Sequence, residues 1–120
     1  MDKFHLTSFV FIIKEIRNIK IVIRGQKLGK VPPHDEDAEQ AVLGSMLTDN
    51  DAVMAAVEVL KEDAFYREDN KIIYQAILNL YSKSEPIDII TLKDELESMG
   101  KFEQVGGFEY LASLPDKVPT

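Results

Sequence analysis

The chain has 120 residues, 45% hydrophobic and 29% charged, which is enough for one domain with one core and is not the composition of a disordered polymer. It contains no cysteine, so a disulfide framework and a thiolate zinc site are excluded, and a reducing, cytoplasmic setting is expected. The formal net charge of −7 is uneven: residues 1–30 hold seven basic and two acidic side chains, residues 31–120 seven basic and nineteen acidic. The acidic part is poorly suited to gripping a phosphate backbone, which takes clustered Lys and Arg, and better suited to a basic protein surface.

Residues 1–30 read as a basic, apolar N-terminal extension. Phe4 to Ile13 is apolar apart from His5, Thr7 and Ser8, too short to span a bilayer, which takes about 20 residues. Positive charge follows this run instead of preceding it, and no small-residue cleavage site comes next, so a secretory signal is not expected. Ile16 to Ile23 fits a strand and a helix equally well. The stretch is either a basic amphipathic arm for DNA, membrane or a partner helix, or a segment foreign to the fold. The abrupt change at Val31 favours the second reading, with few contacts to the domain over 31–120.

Pro32-Pro33 stops any preceding helix, and Asp35 is placed to cap the next. Glu36, Asp37 and Glu39 then lie in a first turn, where carboxylates suit the positive helix end. Apolar residues at 38, 42, 43, 46 and 47 define one helical face. Ala41 and Gly44 are small enough to let another helix come close. Thr48–Asp51 is a turn with capping groups, and Ala52–Leu60 carries Val53, Ala56, Val57 and Leu60 on one side. Ala64-Phe65-Tyr66 is a short apolar plug. A helix from Glu68 to Ser82 has the widest apolar face, so it is expected to be central and most buried. Asp88 caps a helix over 89–99 that Gly100 ends. Gly106-Gly107 opens a short helix bearing Phe108, Leu111 and Leu114, and Pro115 stops it. The expected fold is all-α, a compact bundle of five to six short helices. Leu43, Leu60, Ile73, Ile77, Leu80, Leu92, Leu96 and Leu111 are expected to be buried.

No constellation for catalysis is present. Gly106-Gly107 lacks the following Lys and the preceding strand of a phosphate loop. His5 and His34 have no metal-ligand spacing, and Asp35–Asp37 and Asp49–Asp51 lack the loop of an EF-hand, so capping explains the acids. Asp94, Glu95 and Glu97 read as the solvated side of the helix bearing Leu92, Leu96 and Met99. Tyr66, Tyr74, Tyr81 and Tyr110 adjoin apolar residues and read as core. The candidate residues are therefore packing positions: Ala41, Leu43, Gly44, Ile73, Ile77, Gly106, Gly107, Tyr110 and Leu111.

Six short motifs occur in order: Ala38–Gly44 (AEQAVLG), Asp63–Tyr66 (DAFY), Ile73–Ala76 (IYQA), Glu85–Leu92 (EPIDIITL), Val105–Leu111 (VGGFEYL) and Val118-Pro119. In order and spacing they resemble the N-terminal domain of bacterial replicative DNA helicases, the DnaB family, over Val31–Thr120. That resemblance implies an all-helical head that serves ring assembly and receives primase. It implies partners in primase and other helicase subunits, with DNA, ATP and magnesium handled by a separate RecA-like domain, and leaves room for weak self-association. No membrane role follows. A stand-alone replisome-binding module without helicase activity is the alternative. Pro115 departs from the pattern, since many relatives continue the helix there.

Overall fold

In the computed structural model the described residues are 36–118, and the arm over 1–30 and the capping role of Asp35 fall outside them. Five α-helices follow in order: α1 (Glu36–Thr48), α2 (Asn50–Val59), α3 (Glu68–Ser82), α4 (Ile89–Ser98) and α5 (Gly107–Ser113). Short 3-10 turns occupy Glu62–Ala64 and Leu114–Lys117, and no strand occurs among the described residues.

Local chemistry sets the boundaries. Asp49 caps α2 by accepting from the Asp51 amide at 2.9 Å. Asp88 and Thr91 form a reciprocal capping box at the start of α4. Gly100, at φ +72°, ends that helix, and the Lys101 amide reaches back to the Leu96 carbonyl. Pro115 does not end the chain's winding abruptly; it sits at the start of the last 3-10 turn, where its missing N–H is no loss.

The eight positions expected to be buried are buried. The expected centre is displaced, however. Every residue from Ala38 to Leu47 in α1 is buried, whereas α3 leaves Gln75, Tyr81 and Ser82 in water. α1 is enclosed because α2, α3 and the last 3-10 turn all pack on it. The tyrosines divide too. Tyr74 is fully buried, its ring centroid 5.0 Å from that of Phe65 and its hydroxyl donating to the Leu60 carbonyl at 2.7 Å. Tyr110 is half-buried, and Tyr66 and Tyr81 are exposed. Phe108 also faces solvent, so α5 holds to the core through Leu111, with Leu114 just beyond it.

Candidate functional site

The polar centre of the domain is Glu39. Its first-turn position suits a carboxylate at the positive end of its own helix, but the side chain turns inward and is only 3% exposed. It serves a different helix. Its oxygens accept from the Tyr66 amide at 2.6 Å, the Arg67 amide at 3.4 Å and the Asn70 side-chain amide at 2.9 Å. Arg67, the residue that opens α3, has no capping side chain of its own there, so α1 fixes the approach to α3 across 27 to 31 residues of chain. A buried acceptor satisfied by three donors is stable where a bare one would not be.

The network continues to the far end of the domain. Tyr110 of α5 donates its hydroxyl to Asn70 and accepts from the Gln40 amide at 3.2 Å. Burial, the largest influence, raises the Tyr110 pKa. The Arg67 guanidinium lies 5.8 Å from the Tyr110 ring centroid, donates to Asp69, and reaches Glu36 at 2.9 Å. The hydrogen bond it donates to Asp69 is the chief reason its pKa is raised. One polar cluster thus joins α1, α3 and α5.

The packing candidates divide between core and surface. Ala41, Leu43, Ile73, Ile77 and Leu111 are buried, and Gly107 is buried while Gly106 is exposed. Gly44 meets backbone: a Cβ there would lie 2.1 Å from the Leu114 carbonyl oxygen. The close neighbour is therefore the 3-10 turn after α5 and not, as expected, the side of another helix. Gly106, at φ +108°, would place a Cβ 2.8 Å from that of Tyr110, so its glycine lets α5 begin where Tyr110 can reach the network.

Sequence reading missed Glu39, Gln40, Asn70, Arg67 and Glu95. A signal was present. Glu39 lies one turn before Leu43, and Asn70 one turn before Ile73 on the stripe that continues to Ile77, so both occupy core-facing positions. Glu95 corrects the assignment of α4's acids to solvent. It is buried, pairs with Lys83 at 2.8 Å and accepts from Asn79 at 3.0 Å. The Lys83 hydrogen bond is the main cause of its lowered pKa, and the same bond raises that of Lys83.

Among the described residues no group of three or more His, Asp or Glu side chains converges as a metal site, and no helix is long and apolar enough to cross a membrane. What the folded residues define is an all-helical domain whose buried polar groups fix helix positions and whose acidic exterior faces outward. The family model for the DnaB-like helicase N-terminal domain matches residues 31–120, and the chain belongs to that family. It is 50% identical over 91 residues to the replicative DNA helicase DnaB of Leifsonia xyli, an alignment covering 76% of this chain and 20% of that protein. The corresponding helicase of Mycobacterium leprae is 42% identical over 95 residues, covering 79% and 16%. The crystal structure of the N-terminal domain of DnaB helicase from Mycobacterium tuberculosis superposes with a TM-score of 0.72 at 43% identity, over 75% of this chain and 65% of that one. The chain therefore spans a fifth or less of the length of these helicases.

Proposed function

We propose that this domain is a non-catalytic assembly and docking head of a replicative DNA helicase. It serves ring assembly with other helicase subunits and receives primase at the fork, in the cytoplasm. ATP, magnesium and DNA are handled by other parts of such a helicase. The observation that supports this most directly is the family match over residues 31–120, together with the fold shared with a solved N-terminal domain of that family. The buried cluster suits the role, since it makes the head a rigid body that presents a fixed surface. Glu39 is taken up by two backbone amides and the Asn70 side chain, which leaves it no part in acid–base chemistry.

Titrating the purified chain with primase in a calorimeter tests the reading. Saturable binding is expected, with no ATP hydrolysis and no DNA affinity beyond a steeply salt-dependent background. ATPase activity that tracks with the protein through stringent purification would overturn it, as would the absence of any primase binding.

A further inference from the structure

A groove of about 640 Å³ runs between α2 and the segment joining α3 to α4. Val53 and Met54 line one side, and Tyr81, Pro86 and Ile87 the other. Met54 is 55% exposed and Tyr81 42%, so two large side chains sit in water beside the buried Val53. Methionine and tyrosine are residues that adapt to, and anchor, a partner's apolar groups. The rim is acidic. Glu85 lines the groove, and exposed Asp51 adjoins Asn50, which lines it too. The nearby cation, Lys83, is held by Glu95. Ser84, also in the lining, keeps a left-handed φ of +58° without being glycine.

We propose that this groove is the docking site for a basic amphipathic helix of a partner protein, its apolar side chains on Met54 and Tyr81 and its Lys or Arg facing Glu85 and Asp51. The proposal rests on the docking reading above and names the chemistry of the partner. Charge selects this occupant. Nucleic acid and anionic lipid would meet an acidic rim, and a second copy docking by the same face would set that rim against itself.

The test uses the ¹⁵N-labelled chain and a synthetic amphipathic Leu–Lys helix of about four turns. The same peptide with Glu in place of Lys is the control, and primase is titrated in parallel. The Lys peptide is expected to shift amides of residues 50–54 and 81–87, and to bind less well as salt rises. Met54→Glu, at an exposed position, should weaken it roughly tenfold, and Glu85→Lys a few-fold. Shifts scattered over the acidic surface and insensitive to Met54→Glu would overturn the proposal. So would concentration-dependent dimerisation abolished by Met54→Glu, which assigns the groove to a second copy. Primase binding untouched by Met54→Glu overturns the groove and leaves the docking reading intact. Primase that fails to bind the unmodified chain removes the docking reading, and the peptide then decides the groove by itself.

Discussion

Two regions of this domain are held by polar contacts of opposite character. Around Glu39, carboxylate, amide and phenol groups from α1, α3 and α5 meet out of water and join residues 27 to 70 positions apart. In the α3–α4 hairpin the ties are local. Asp88 and Thr91 cap each other three residues apart, and Lys83 reaches Glu95 over twelve, its own side chain more than half exposed. In the first region every partner lost strands a buried group, which costs about 1–3 kcal/mol. In the second, water reaches the capping pair and the lysine, and only Glu95 is buried. The distances are similar, so burial and chain separation, not bond length, decide which region controls stability.

The sharpest way to break this contrast is at Gly44, where α1 meets the turn after α5. A Cβ there meets the Leu114 carbonyl oxygen at 2.1 Å and its carbon at 2.8 Å, both backbone atoms that no rotamer change can move. Gly44→Leu is expected to lose about 3 kcal/mol or more by overpacking. Gly44→Ala is expected to lose stability as well, despite a gain of about 1 kcal/mol in helix propensity. Chemical denaturation of both variants decides it. An alanine variant more stable than the parent would mean that the turn after α5 yields freely.

Glu39→Ala comes next. It strands two backbone amides and the Asn70 side chain, and a loss of about 2 kcal/mol is expected in denaturant midpoints. Glu39→Gln should lose part of that, because an amide nitrogen cannot accept from either backbone N–H. Hydrogen exchange should quicken first at Tyr66 and Arg67. Unchanged protection there would show that α1 does not hold the approach to α3.

These same residues show where the sequence was legible. Helix number, caps and the aliphatic core follow from apolar spacing and from Asp49, Asp88 and Gly100, all of which act on near neighbours. Glu39 and Asn70 share the core stripes of α1 and α3, but their residue types pointed to a first turn and to solvent. Nothing local reveals that the donors for Glu39 lie at Tyr66, Arg67 and Asn70. Small residues at 41 and 44 did announce a close approach. What approaches is the Leu114 backbone 70 positions away, which no helical pattern encodes. The rank of the helices failed for the same reason: a wide apolar face shows that a helix packs, and only the placement of its neighbours around it shows which one is enclosed.

Tyr74 offers a pH-dependent comparison, for it lies in the core but outside the Glu39 cluster. Burial, with the charge of Glu62 adding to it, pushes its hydroxyl from 10.0 up to about 12. Above pH 10 the unfolded chain sheds this proton and the folded one keeps it, so the unfolded state binds fewer protons and stability falls between pH 10 and about 12. Tyr74→Phe should lose about 1 kcal/mol near neutrality, with the bond to Leu60, and should flatten that alkaline decline. Melting temperatures measured across this range check both. A decline equally steep in the phenylalanine variant would assign it to other groups.

The smallest effect is expected at the hairpin's own clasp, where Lys83→Met tests whether a local ion pair does more than shape a pH profile. Near neutrality the variant should melt within the scatter of surface substitutions, because the lysine is solvated and the pair is screened by salt. The sign of its pH dependence is fixed by the two shifts. Glu95 titrates below its ordinary 4.5, so its contribution is present above that value and is lost as pH falls through the folded pKa. Lys83 titrates above its ordinary 10.5, so its contribution is present below that value and is lost as pH rises through the folded pKa. Removing Lys83 leaves Glu95 only the Asn79 hydrogen bond against desolvation, so its folded pKa returns toward the ordinary value and the acid decline of the melting curve should become shallower. High salt should flatten the parent's acid decline the same way and leave the variant's unchanged. Acid limbs that coincide at low salt would show that Lys83 does not hold Glu95 in its charged form.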